Sequence, residues 1–504
     1  MIDYAQVIAK AQKNVDQGNY HEAQTYLEDA LAQEDWPNNE LRANAFLLLG
    51  TAAFRRGALE SALLHLKTAQ RIAPTPSWIL LEGIRVEGII LSEKGNFEDA
   101  LERFNLSLEY SRKLNKKKST AACLNNIAVI YMHRGEFETA LEIFDEGLTI
   151  SVEAEDKEES SKILNNMAEI FAKKGQYDLA YEHYRRSLVL DKERGDKAGQ
   201  AIVLGNISEI YKARGDYSRC LEYLQQAYDL ARQTDHKKSL VSIHSNLGEL
   251  HWLEGDLRKA TEVLEQGINI CNEIGLEYAE YWRMLLLLAG VQTDRSNFEK
   301  AQALLETCET LNERIQSDTL AAEIYYGQGY LEAPATGKGN LGNAKVAYNK
   351  ALELAESEKY ELADIWINAS LGLAYTLLGE YMGTLDDQFL SECEQRLATI
   401  FERANKEAQV PILTKVLELQ GLLALAQMKH DEALVKFDEA RRLAKSRGLT
   451  YLEEKASEQH AKTVQIRDKF RKSQKESDSV EDVIQYVKDR VREVQRMVQT
   501  YGGG

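Results

Sequence analysis

Residues 337–342 read Gly337-Lys338-Gly339-Asn340-Leu341-Gly342, a G-x-G-x-x-G string of the kind that brings backbone close to a dinucleotide pyrophosphate. That chemistry needs a strand before the glycines and a helix after them. What precedes is "TLAAEIYYGQGYLEA", with helical apolar periodicity, followed by Pro334. The glycines are therefore expected in a loop between two helices. His244 and His251 lie seven apart, but an H-E-x-x-H zinc site would need glutamate at 245 and histidine at 248, where Ser245 and Gly248 stand. Both histidines fall at packing positions and are expected in the core. No catalytic residue, metal ligand or cofactor site emerges, and a non-enzymatic protein is expected. The five cysteines (Cys123, Cys220, Cys271, Cys308, Cys393) are odd in number and scattered, which suits reduced core thiols.

The elements that would position any site are helices. The chain has 504 residues, too many for one compact core, so several domains or a repeat array are expected. Of its five prolines, none lies between Pro76 and Pro334, leaving that stretch free of helix breakers. A net charge of −18 argues against nucleic acid or an anionic membrane surface as the main partner. The apolar run "MLLLLAGV" at 284–291 is far short of the roughly 20 residues of a membrane span. No signal peptide is read at the N-terminus, and the cytoplasm is the expected compartment.

Gly95, Gly135, Gly175, Gly215 and Gly255 recur every 40 residues. Five residues after each stands Ala100, Ala140, Ala180, Cys220 or Ala260; nine after, Phe104, Phe144, Tyr184, Leu224 or Leu264. Seven before are Gly88, Ala128, Ala168, Ser208 and Gly248. Small and large residues at i, i+3/4 and i+7 on both sides of a glycine describe two helices joined by a tight turn. Weaker copies are anchored at Gly18, Gly57, Ser296, Gly339 and Gly379, and a last one is "MKHDEALVKFDEARRLA", 428–444.

The pattern resembles the tetratricopeptide repeat, L-G-x-x-Y-x-x-x-G-x-Y-x-x-A-x-x-x-Y-x-x-A, in a long-repeat form similar to kinesin light chain, Pins-type adaptors and bacterial peptide receptors. The resemblance covers residues 1–448, about eleven helix pairs. It implies an all-α, right-handed superhelical solenoid acting as a protein-interaction scaffold or adaptor. At about 100° per residue, offsets −10, −6 and −3 from each anchor share one face of the first helix, and in the family that face lines the concave groove. It holds Asn125, Asn165, Glu169, Glu209, Lys212, Glu249 and Trp252, candidate contacts for a protein or peptide of basic character. Asn126, Asn166, Asn206 and Asn246 recur at offset −9, as structural amides or as a peptide-gripping ladder. The family's carboxylate clamp needs Lys and Asn at offsets −10 and −6 of a first repeat; Ile8 and Gln12 stand there.

Beyond 448 the beat stops. Residues 449–472 read as a capping helix, 473–479 as a polar hinge, and 480–504 as an amphipathic helix with a glycine end. Val480, Val487, Val494 and Tyr501 form one heptad series, with Ile484, Val491 and Val498 the other. This seam suits a parallel homodimer, docking on the chain's own array, or capture by another protein. The alternative function is a peptide-sensing regulatory receptor whose tail transmits or occludes binding.

Overall fold

The computed structural model describes residues 3–16, 19–33, 36–274, 279–333, 340–356, 363–406 and 409–476. Among them are 23 α-helices and no strand. The chain divides into two compact units, Met1–Asp196 and Lys197–Gly504. The first holds α1 (Tyr4–Asp16), α2 (Tyr20–Leu31), α3 (Asn39–Arg55), α4 (Leu59–Ile72) and α5 (Trp78–Glu93). It continues with α6 (Phe97–Lys113), α7 (Lys117–His133), α8 (Phe137–Glu153), α9 (Lys157–Lys173) and α10 (Tyr177–Arg194). The second begins with α11 (Lys197–Ala213), α12 (Tyr217–Gln233), α13 (Lys237–Leu253), α14 (Leu257–Ile274), α15 (Ala279–Asp294) and α16 (Phe298–Ile315). Then come α17 (Asp318–Leu331), α18 (Leu341–Ala355), α19 (Ala363–Thr384), α20 (Asp387–Lys406), α21 (Val410–Ala426), α22 (His430–Ser446) and α23 (Thr450–Glu476).

Consecutive helices form antiparallel hairpins, and within each unit the odd-numbered helices also pack on one another, making an inner layer. The turn inside the hairpins explains the 40-residue beat. Gly57, Gly95, Gly135, Gly175, Gly215 and Gly255 all have φ between 69° and 79°, the left-handed region where a Cβ is penalised. Gly95 N–H returns to the Ser92 carbonyl and Asn96 N–H to that of Leu91, both at 2.9 Å, so the closing carbonyls of α5 are satisfied.

Each hairpin seam sets a small residue against a large one. A Cβ on Gly88 would lie 2.7 Å from the Phe104 ring, and Phe104 is 1% exposed. Ala100, Ala140, Ala180 and Ala260 are wholly buried beside it or at the matching places. Burying one such phenyl ring contributes about 2–3 kcal/mol, and the same close approach recurs at Gly50–Leu66, Gly248–Leu264 and Gly421–Phe437. His244 is 5% exposed, edge-on to Tyr228, with its pKa lowered by burial. The five cysteines are buried and unbridged.

Two details differ from the sequence reading, at Gly379 and in α23, and the helix expected before the glycine string is present. Gly379 is not in a turn: α19 runs on to Thr384, because Leu377, Leu378, Tyr381 and Met382 extend its buried face, and the turn is made by Leu385 at φ 58°. Helix α23 continues to Glu476, four residues into the segment read as a hinge. Asn340 is the N-cap of α18, accepting from Asn343 N–H at 3.2 Å, and the helix α17, not a strand, precedes the glycine string. Gly337 to Gly339, the anchor Gly18 and the seam Val480, Ile484, Val487, Val491, Val494, Val498 and Tyr501 lie outside the described residues.

Ser296 takes the anchor-glycine place at φ 60°. Ser296→Gly should raise stability, and Gly135→Ala should lower it, each by about 1 kcal/mol. Urea-unfolding midpoints of the two variants, shifted in opposite directions, are the expected result.

Candidate functional site

The inner layer of the second unit carries a charged network that crosses three helices. Lys212 Nζ on α11 donates to Glu249 Oε2 on α13 at 2.8 Å, and Arg283 Nη2 on α15 donates to the same oxygen at 2.8 Å. Asn246 Nδ2 donates to Glu209 Oε1 at 3.0 Å, and Arg283 reaches Asn246 Oδ1 at 3.5 Å. Burial works against ionisation of Glu249, but the two cations outweigh it and hold its pKa down to about 2. Glu209 stays exposed. Three of the residues read as one groove face are thus tied together here, and Asn246 belongs to the same network.

Trp252 serves the next station. Its Nε1 donates to Asp294 Oδ2 at 2.6 Å, and Tyr330 OH donates to Asp294 Oδ1 at 2.7 Å. The two rings meet edge to face at 6.0 Å. Burial raises the Asp294 pKa against the pull of those two hydrogen bonds. Glu323 on α17 is pushed up to about 7, first by burial, with Arg283 opposing. Asp364 on α19 is accessible yet sufficiently enclosed to have a raised pKa, and it feels Lys212, Glu249 and Arg283. The charges that act on Asp364 thus include those of α11, α13 and α15 of the same unit.

The first unit has its own inner network. Asn166 Nδ2 on α9 donates to Asn125 Oδ1 on α7 at 2.9 Å, and Asn125 in turn bonds Glu159. Asn125 is 7% and Glu159 8% exposed, and burial raises the Glu159 pKa. Arg85 donates through Nε and Nη2 to Glu82 Oε2 at 2.9 and 2.7 Å, and Ser119 Oγ donates to Glu82 Oε1 at 3.2 Å. Glu169 pairs instead with Lys173 on its own helix at 3.1 Å. Asn165 and Asn206 are half-buried, and Asn126 Nδ2 is buried without a hydrogen-bond partner. Two of the offset −9 amides, Asn166 and Asn246, donate to side chains on the preceding inner helix.

The sequence reading missed Arg283, Asp294, Glu323 and Asp364. Arg283, like Glu82, lies one helical turn before offset −10, on the same face, so extending that stripe toward each helix N-terminus would have found both. The partners of Trp252 and the position of Asp364 depend on helices far apart in sequence and carry no local signal.

Three family models match the chain: tetratricopeptide repeats over residues 8–75 and 87–151, and a MalT-like TPR region over 152–325. Together they span more than half of it. The chain belongs to the tetratricopeptide-repeat family. No curated protein sequence matches it. Similar solved structures include the apo form of RapI, at 16% identity and TM-score 0.44, covering 54% of this chain and 99% of that one. A Rap protein complexed with competence and sporulation factor shares 12% identity at TM-score 0.48, over 78% of this chain and 99% of that one. Aspartyl phosphate phosphatase F from Bacillus subtilis shares 12% at TM-score 0.47, over 71% and 95%. As a tetratricopeptide-repeat array the chain has an interaction fold. Among its described residues no helix is long and apolar enough to cross a membrane.

The Glu249 cluster has a pH signature. Its pKa lies below the unfolded value near 4.5, so its stabilisation is complete above that pH and is lost as pH falls toward 2. Glu249→Gln should cost about 1.5–3 kcal/mol above pH 5, because Lys212 and Arg283 lose their shared anion. Melting temperatures of variant and wild type should converge between pH 4 and 2.5.

Proposed function

We propose that this tetratricopeptide-repeat protein is a non-enzymatic scaffold or adaptor that binds an extended segment of a partner protein along its inner helix layer. The observation that carries the reading is the network of the second unit, where polar side chains from successive inner helices are already held in place. Lys212, Glu249 and Arg283 lock one another's rotamers, which lowers the ordering cost of a ligand that docks beside them. Glu209 and Asp364 remain accessible beside that cluster and offer carboxylates to a basic residue. Asn125, Asn165 and Glu169 are proposed as the matching contacts of the first unit, with amides suited to a peptide backbone. The proposed compartment is the cytoplasm, where unbridged thiols persist.

Selection from a displayed random-peptide library tests this reading. Wild type should enrich peptides bearing Lys or Arg, with affinity falling as salt rises. Glu209→Gln with Asp364→Asn should lose that enrichment while the far-ultraviolet circular dichroism stays unchanged. If wild type selects no peptide, or selects without charge bias, the reading fails.

The tail favours a second reading, a peptide-sensing receptor whose own C-terminal helix occupies the site. Around its heptad seam, Lys488, Arg490, Arg492 and Arg496 outnumber Asp489 and Glu493, a complement to accessible carboxylates. Ending the chain at Glu476 should then raise peptide affinity with the mass by light scattering still monomeric. Conversion of a dimer to a monomer by the same truncation would instead assign the seam to a coiled coil.

A further inference from the structure

Helix α23 does more than cover the end of the second unit. Leu449, in the turn that leads into it, is fully buried, and its Cδ2 lies 2.8 Å from where a Cβ on Gly215 would sit. Gly215 belongs to the turn between α11 and α12, the first hairpin of the same unit, so the last hairpin reaches back and touches the first. At this point the Leu449 isobutyl group occupies a notch that a side chain at 215 would close.

Under α23 lies a carboxylate that makes no hydrogen bond. Glu418 on α21 has no exposed surface, and both of its oxygens lack a hydrogen-bond partner. It stands at offset −10 from the turn residue Met428, as Asn125 does from Gly135. Asn125 receives an amide from Asn166, 41 residues on; the residue 41 beyond Glu418 is Gln459, 3% exposed, whose Oε1 is also unpartnered. The repeat thus brings a polar pair to this interface and leaves it unmade. The charges acting on Glu418 are Lys455 of α23 and Lys415, one turn away on its own helix. Lys455 also feels Asp294 of α15 and Glu458. The buried faces of α20 and α22 are formed by Leu397, Ile400, Phe437 and Ala440. Their titratable groups are Cys393, raised to about 12 by burial, and His430, lowered by burial. On α19 the titratable buried group is Tyr381, raised by burial.

We propose that α23 is a displaceable wall of the second unit, latched by Leu449 in the Gly215 notch and coupled in its docking to the protonation state of Glu418. Exposure of Glu418 on undocking would let both oxygens find water, which the docked state denies them. Burial holds the Glu418 carboxyl up at about 8 when α23 is docked. Once solvated, the group returns to the ordinary glutamate range near 4.3. Docking therefore takes up a proton, is most favoured below pH 5, and weakens as pH rises toward 8. Burial lowers Lys455 in the docked state, so docking recovers at still higher pH as that ammonium deprotonates. Undocking is easiest at mildly alkaline pH, where Glu418 is driven to ionise and Lys455 is still charged.

Hydrogen–deuterium exchange of the full chain, corrected for intrinsic rates, tests the device. Peptides of α23 should open at least about tenfold more readily at pH 8 than at pH 5.5, with α13 peptides unchanged. Glu418→Gln should flatten that dependence. Leu449→Ala should speed α23 exchange at both pH values while keeping the slope, and it serves if the glutamine variant does not fold. Exchange of α23 that ignores pH overturns the proposal. So does an undiminished slope in a folded Glu418→Gln protein, or loss of protection from α13 and α23 together.

Discussion

Every level of this molecule depends on how closely two helices of a hairpin can approach. Gly88 under Phe104 and Gly421 under Phe437 leave no room for a methyl group, so the large ring fills the space that the small residue vacates. That interdigitation turns the outer helix against the inner one at a fixed register. The left-handed turn, closed by a glycine in six successive hairpins, returns the chain at the same angle each time. A hairpin still keeps one face uncovered, and stacking against the next is the only way to bury it. The inner layer, with its polar stripe, follows from these constraints and not from any preference of the polar residues themselves.

The polar stripe is then forced into company. Inner helices pack side by side, so a residue on one meets residues 34, 37 or 41 positions further on. Where those meetings are complementary, as at Lys212, Glu249 and Arg283, they rigidify a surface and depress a carboxyl pKa. Where they are not, as at Glu418 and Gln459, a buried group is stranded and its protonation becomes tied to packing. One repeat geometry therefore yields a cross-linked polar face in one place and an unsatisfied buried carboxyl in another.

The beat also explains which substitutions the array absorbs. Ser296, Leu385 and Met428 occupy left-handed turn positions despite the penalty, because the hairpin seams on either side determine the turn. Helix α19 absorbs a larger deviation: it keeps Gly372 at the seam against Tyr348 and then runs past Gly379, because the buried face continues to Met382.

The helices, the hairpin seam, the 40-residue period and the inner face of each first helix were legible in the order of residues, because all are set within one repeat. Small and large residues at helical spacing around Gly95 or Gly135 need no knowledge of distant chain to be read. The stripe that holds Asn125, Glu209 and Glu249 followed from the same count. Pairing within that stripe was not legible. That Asn166 bonds Asn125 while Glu169 turns to Lys173 depends on rotamers chosen between neighbouring helices. That Trp252 finds Asp294, that Asp364 feels the charge of Lys212, and that Leu449 seats at Gly215 depends on the curvature accumulated over several hairpins. Small rotations per repeat add up over hundreds of residues, and no local pattern encodes their sum.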